Sequence, residues 1–329
     1  MDEPQQPKPY LTNEDFAHVG KGLLMGGADV VPGVSGGTIA LIVGIYDRLV
    51  TAVSRCDGTL FGLVTSGRWC AAAAYVDLRF LVTLGLGIGC GVLALGSVMH
   101  FLLEHHLQLT YAAFFGLIGA SCWLVGKMIP KWNTAEIAML VIGAAVAVWV
   151  VNQPTLKHPP DGMWYTFFCG VIAICAMILP GISGSFILLI LGKYHDITGI
   201  IKNAAHFEVN ARDIGSLVVF AFGCLVGLLS FSKFLKWLLA RHQSVTLATL
   251  TGFMLGSLCR IWPFQVDKTP EIKEFKDKEF QLLDVSEIPV DTQLALVIVI
   301  AVVSAAAVIL LDRATSPHNS DEKPLVEEQ

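Results

Sequence analysis

VVPGVSGGTIALIVGIYDRL (residues 30–49) and MILPGISGSFILLILGKYHDI (residues 177–197) are two copies of one pattern. They align without a gap, placing Pro32 on Pro180, Gly33 on Gly181, Ser35 on Ser183, Gly36 on Gly184, Gly44 on Gly192 and Tyr46 on Tyr194. A second block repeats in the same order. GVLALGSVMHFLLEHHLQLTYAAFFGLIGAS (residues 91–121) resembles GLLSFSKFLKWLLARHQSVTLATLTGFMLGS (residues 227–257), matching Gly91 with Gly227, His106 with His242, Gly116 with Gly252 and Ser121 with Ser257. Apolar segments share a small alphabet and can align by accident, but matched Pro, Gly, Ser and Tyr are not residues that hydrophobicity selects. The chain reads as a duplication, each half a broken apolar segment, a connector and a helical hairpin.

The surroundings of these copies are those of a membrane protein. Hydrophobic residues make up 54% of the 329, charged residues only 15%, and the mean hydropathy is +0.64. A hydrocarbon core is crossed by about 20 apolar residues in a helix. Uncharged runs of that kind lie at 80–103, 107–126, 137–156, 214–232, 242–259 and 292–311. The run 163–192 is too long for one span and has Pro180-Gly181 in its interior, while 30–46 is short and opens almost at Pro32-Gly33. The expected class is an all-α polytopic membrane protein with two inverted-topology repeats. Its expected parts are a polar tail (1–18), repeat 1 (19–133), a linking helix and loop (134–162), repeat 2 (163–263), an acidic extramembrane loop (264–291), a final span (292–312) and a second polar tail (313–329). The first residues are polar and proline-rich rather than basic and then apolar, so insertion is expected to use the spans themselves.

Several functions are set aside by composition. A formal net charge of −5 provides no basic field for nucleic acid. The eight cysteines show no Cys-x-x-Cys pair and no histidine at metal spacing, so they read as small hydrophobes between helices, and neither metal nor cofactor is expected. His105, His106 and His242 read as solvated residues at hairpin tips, and Arg260 as an interfacial anchor beside Trp262.

Positive charge in short loops guides orientation. If each broken segment dips in and returns to its own side, Lys21, Arg48, Arg55, Arg68, Arg79, Lys127, Lys131, Lys233, Lys236 and Arg241 all face the cytoplasm, both termini finish there, and the halves are inverted. If the broken segments cross fully, the halves are parallel. Lys193, Lys202 and Arg212 fall outside in the first scheme and count against it.

Breaking an apolar helix twice needs a reason. Proline removes an amide donor, glycine relaxes the backbone, and the freed groups must be satisfied by protein, water or ligand at membrane depth. Paired discontinuous helices of this kind mark the substrate site in transporters built from inverted repeats. The residues after each Pro-Gly, Ser35-Gly36-Gly37-Thr38 and Ser183-Gly184-Ser185, suit the opening of a half-helix with exposed amides and hydroxyls, a setting for an anion. A kinked, closely packed helix interface would also favour Gly and Ser. A P-loop is excluded because neither copy has the Lys-Ser/Thr ending. Asp29, Lys21, Arg48, Lys193 and His195 are the ionisable neighbours. Arg48 and Lys193 are candidate phosphate partners, with interfacial snorkelling as their alternative. Asp29, Lys21, Lys193 and His195 are candidates for charge coupling, with a proton or cation as the partner.

With KGLLMGGADVVPGVSGGTIALIVGIYDRL at residues 21–49 and the second PGISG at 180–184, the chain resembles the bacterial polyprenyl-phosphate transporter family over roughly 20–311. The resemblance implies an inner-membrane protein, not an enzyme, that returns undecaprenyl phosphate from the outer to the cytoplasmic leaflet through inverted re-entrant helices. Site status carries over to Pro32–Thr38 and Pro180–Ser185, with Arg48 as an extension. The copies differ where Ser185-Phe186 replaces Gly37-Thr38. A small-anion channel shares the same anion chemistry. A lipid-pyrophosphate phosphatase needs a nucleophile or base within the motifs, and none is there.

Overall fold

A computed structural model describes residues 12–29, 35–156, 158–205, 210–269, 271–272, 278, 280–288 and 290–315. Pro32 and Gly33 of the first copy lie outside the described residues. Among the described residues the fold is all-helical apart from one small hairpin, with five helices long and apolar enough to cross a membrane and two sharply bent helix pairs.

The first half runs α1 (Asn13–Asp29), α2 (Gly36–Ile42), α3 (Tyr46–Ser54), α4 (Gly58–Thr65), α5 (Trp69–Tyr75), α6 (Leu78–His105), α7 (Leu107–Lys127) and α8 (Thr134–Val151). The second runs α9 (Met163–Ile178), α10 (Gly184–Ile190), α11 (Tyr194–Ala205), α12 (Ala211–Arg241), α13 (Gln243–Ser257) and α14 (Thr292–Thr315). Between α13 and α14, β1 (Gln265–Asp267) pairs antiparallel with β2 (Phe280–Leu282). Local signals open several helices. Asp57 caps α4 by accepting from the amides of Thr59 and Leu60, and Asn133 with Glu136, and Asn210 with Asp213, form capping boxes on α8 and α12.

The repeated blocks build repeated structure. A single residue, His106 or His242, joins α6 to α7 and α12 to α13. In both hairpins the threonine four residues on donates back into the corner. Thr110 Oγ1 reaches the carbonyls of His106 (2.8 Å) and Leu102 (3.3 Å), and Thr246 Oγ1 those of His242 (2.8 Å) and Leu238 (3.3 Å).

Small residues set the helix pairings. A Cβ at Gly22 or Gly26 of α1 would strike the carbonyls of Leu84 or Ile88 of α6, and one at Gly223 of α12 would strike that of Phe167 of α9. The contacts advance together along both chains, so α1 runs parallel to α6 and α9 to α12. Then the halves exchange partners: α7 packs on α14 with Gly116 against Ala301, and α13 packs on α8 with Gly252 against Leu140 and Gly256 against Ala144.

Each bent pair turns at a glycine with φ +70°, Gly44 or Gly192. The amide of the next residue reaches back to close the preceding helix, Ile45 to Ala40 and Lys193 to Leu188, while the glycine amide bonds Leu41 or Leu189. This is a Schellman closure, and its left-handed residue favours glycine. The flanking helices meet at 120° and 117°. Beyond the turn the chain is back near its start. Ile190 accepts from the amide of Leu156, and Leu191 from the hydroxyl of Tyr165 in the first turns of α9, while Arg48 of α3 reaches His18 of α1 and Asp77 before α6.

Large apolar side chains stay exposed along the long helices, among them Leu93, Val218 and Val302. Such a band matches a lipid solvent. The core, including Phe80, Leu84, Tyr111, Met254 and Ile261, fills the space between the halves and under the α2–α3 turn.

Candidate functional site

The break between α9 and α10 is produced by Pro180 and Gly181, and Gly181 sits at φ +86° with no room for a side chain against the Phe253 carbonyl. A helix ending there leaves carbonyls without intrahelical donors. The first copy supplies donors. Ser35 Oγ lies 3.3 Å from the Met177 carbonyl and 3.4 Å from that of Leu179, and Tyr46 donates its hydroxyl to Ile178 at 3.1 Å. In the other direction, the amide of Gly181 donates to Thr38 Oγ1 at 2.9 Å. Gly37 has no room for a Cβ because the Ile178 carbonyl is there. The two copies are therefore in direct hydrogen-bonded contact, and Ser35 and Thr38 are both buried.

The start of α2 is occupied from within. Ser35 caps it, its Oγ accepting from Gly37 at 3.1 Å, and the Asp29 carboxylate accepts from the Gly36 amide at 2.6 Å. The start of α10 is arranged differently. Ser183 is its N-cap residue but accepts no amide there, and its hydroxyl pairs with that of Ser185 at 2.9 Å. Phe186 stands where the first copy has Thr38, and Arg260 stacks over its ring at 5.1 Å, which brings a guanidinium beside the second copy.

The charged candidates spread out. Arg48 donates to Asp77 at 2.7 Å, lies 3.1 Å from His18 Nε2 and covers the Phe80 ring at 4.4 Å, so it joins α1, α3 and α6 rather than meeting the motif serines. Because a guanidinium only donates, His18 Nε2 is the acceptor in this contact. The bond from Arg48 holds the Asp77 carboxyl below the usual carboxylate range. Lys193 is buried and pairs with Asp196 at 2.8 Å. His195 is exposed at the start of α11, edge-on to Tyr194, and Lys21 lines a cavity beside the α2–α3 turn.

Three contributions were not drawn from the sequence: Asp29 as the internal cap of Gly36, Tyr46 as the donor to Ile178, and the paired glycine turns. The signal for the last two was present, since Tyr46/Tyr194 and Gly44/Gly192 coincide in the repeats.

Comparison with known proteins agrees with this architecture. The model of an undecaprenyl phosphate translocase-like family matches residues 25–278. A polyprenyl-phosphate transporter of Vibrio cholerae is 42% identical over 245 residues, covering 74% of this chain and 77% of the relative. One from Staphylococcus aureus is 31% identical over 257 residues, covering 74% and 84%. No solved structure matches the chain. The first copy's side chains complete the backbone at the second copy's Pro-Gly, and this multi-pass helical chain, similar to these relatives over three quarters of its length, belongs to the undecaprenyl phosphate translocase-like family.

Proposed function

We propose that the protein is a polyprenyl-phosphate transporter that returns undecaprenyl phosphate from the outer to the cytoplasmic leaflet of the bacterial inner membrane, and is not an enzyme. The observation that carries this is the mutual hydrogen bonding of the two Pro-Gly copies, Ser35 and Thr38 against Met177–Gly181. Residues of this kind at membrane depth need a polar partner. Here each copy is the other's partner, so an arriving anion has bonds to exchange.

The chemistry follows from which groups donate. The amides of Gly36, Gly37 and Gly181 are held by the oxygens of Asp29, Ser35 and Thr38. A phosphate offers oxygens of the same kind with more charge, and charge-assisted bonds are roughly twice as strong as neutral ones. Replacing Thr38 Oγ1 by a phosphate oxygen releases a tie between the halves, and replacing the Asp29 carboxylate removes a like charge from the site. Head-group binding is thereby coupled to separation of the two copies, the step alternating access requires, while the isoprenoid tail stays in lipid. Displacement or protonation of Asp29 is the point at which a proton enters this scheme.

The helix pairings support inverted repeats with re-entrant segments. α13 runs parallel to α8, and consecutive spans α7 and α8 run opposite ways, so the matched helices α7 and α13 are antiparallel. Both bent pairs lead back toward their own first turns, and Lys127 and Lys131 stand at and just after the end of α7, which supports a cytoplasmic location for both termini.

The test is leaflet-resolved accessibility of labelled undecaprenyl phosphate in proteoliposomes, comparing wild type with Ser35→Ala, Ser183→Ala and Arg48→Ala. Slower lipid movement with folding intact is expected for the serine variants, with a smaller effect for Arg48→Ala. Unchanged movement in all three overturns the assigned site.

A further inference from the structure

A cavity of about 600 Å³ lies beside the α2–α3 turn, on the face where α7 and α14 end. Its polar lining is Lys21, Tyr46, Asp47, Ser121, Lys127 and Asp312. Ile42 and Val43 also line a second space of about 270 Å³, which is walled only by apolar residues and glycine, among them Leu24, Phe114, Leu117 and Val308. Leu24 is 51% exposed, so this groove opens toward the bilayer. A polar chamber containing ammonium groups therefore adjoins an apolar groove that lipid can enter.

The charges in the chamber are not equivalent. Lys21, half-buried two turns into α1, makes no ion pair among the described residues. An ammonium so placed in a membrane protein calls for an anionic partner. The Lys127 ammonium sits over the Trp123 ring at 3.4 Å. Asp47 is exposed at the rim, in the first turn of α3 where helix amides favour a carboxylate, and Asp312 is already engaged. Lys21 is thus the cation open to a ligand. Tyr46 forms part of the wall while its hydroxyl holds the Ile178 carbonyl, so the chamber abuts the break in α9.

We propose that the two spaces form one amphipathic docking site for a polyprenyl phosphate, with Lys21 receiving the phosphate and the groove between α1, α6, α7 and α14 receiving the head-proximal isoprene units. At 270 Å³ the groove falls just below the ~300–1,000 Å³ of ordinary small-molecule sites, so most of the tail remains in the bilayer. The site rests on the transport reading above and adds to it a station next to the Pro-Gly contact, one that selects a lipid-linked phosphate over free phosphate because it engages both ends of the molecule.

The test uses the full-length protein in nanodiscs with a photoreactive short-chain polyprenyl phosphate whose diazirine is on the second isoprene unit, and maps the labelled residues by mass spectrometry. Labelling is expected at Leu117 and Val308, competed by unlabelled undecaprenyl phosphate but not by phosphatidylglycerol or inorganic phosphate. Lys21→Gln should reduce it roughly tenfold or more, Lys21→Arg should restore most of it, and Lys131→Gln, in the loop after α7 and outside both spaces, should leave it unchanged. Equal competition by phosphatidylglycerol, or labelling indifferent to Lys21, overturns the site by showing a general lipid groove. Labelling confined to the Pro-Gly motifs overturns the docking site and leaves the transport reading standing. No specific labelling anywhere, with thermal unfolding unchanged, counts against both.

Discussion

At the end of α1, Asp29 reaches forward to the amide that opens α2. At the matched place in α9 stands Met177, an exposed residue whose side chain cannot accept from the α10 amides as a carboxylate would. A carboxylate thus holds one half-helix start, while the other is flanked by a thioether, a pair of serine hydroxyls and the Arg260 guanidinium over Phe186. Thr38 bonds across to the other copy, whereas Ser183 and Ser185 bond to each other. Duplication has preserved the breaks and turns, and divergence has reserved the anionic group for one side. On the transport reading proposed above, unequal ends are useful, because one end already holds an anion that an arriving phosphate would have to displace.

The largest effects should come where the halves are alike. Gly116→Val and Gly252→Val each drive a side chain into a facing backbone carbonyl and should each destabilise the fold by about 1–3 kcal/mol or abolish it, to similar extents, in thermal unfolding in detergent. A large difference between them would break the equivalence of the α7–α14 and α13–α8 pairings.

Next come the unlike positions. Thr38→Val leaves the Gly181 amide buried without an acceptor and should cost about 1–3 kcal/mol, whereas Ser185→Ala removes a hydroxyl that serves only its neighbour and should cost well under ~1 kcal/mol. Equal losses would mean that the second copy bonds the first as firmly as the first bonds the second. At the hairpin corners the prediction returns to symmetry: Thr110→Val and Thr246→Val should each lose about 0.5–1.5 kcal/mol, read as matched drops in unfolding midpoint.

The smallest effect lies in the small hairpin between α13 and α14. Lys278, 2.7 Å from Asp267, holds that carboxyl below the ordinary carboxylate range, with the Thr269 amide adding to it. A depressed folded pKa contributes stability above the unfolded value of about 4, and that contribution fades as pH falls through the lower folded value. Amide exchange in β1 and β2 should therefore quicken below about pH 4 in the wild type. Asp267→Asn should flatten that dependence without altering the hairpin corners.

How much was legible beforehand can be judged from particular residues. Most spans were readable because lipid demands long uncharged runs, and the helices at 78–105 and 107–127 begin and end within two residues of the apolar stretches, whereas the run 242–259 forms only the 15-residue α13. Ser35 and Ser183 could be placed before their half-helices, since hydroxyl residues after Pro-Gly suit a helix start. Arg48 could not be placed. Its proximity to the motif in sequence suggested a phosphate partner, but beyond the Gly44 turn Arg48 sits on the side of α3 that meets Asp77 and His18. Tyr46 lies two residues from Arg48 and points the other way, because successive helical positions face different sides.

Chain chemistry alone determined that this protein crosses a membrane, that it is a duplication, and that each copy carries a helix-breaking Pro-Gly, because hydropathy, repetition and a missing amide are properties of the residues themselves. Tertiary structure decided which partners complete the broken backbone, that Asp29 occupies the start of α2, and that Lys21 faces a chamber adjoining an apolar groove. These depend on contacts between segments more than a hundred residues apart or across a sharp turn, and no local pattern encodes where a freed carbonyl will find its donor.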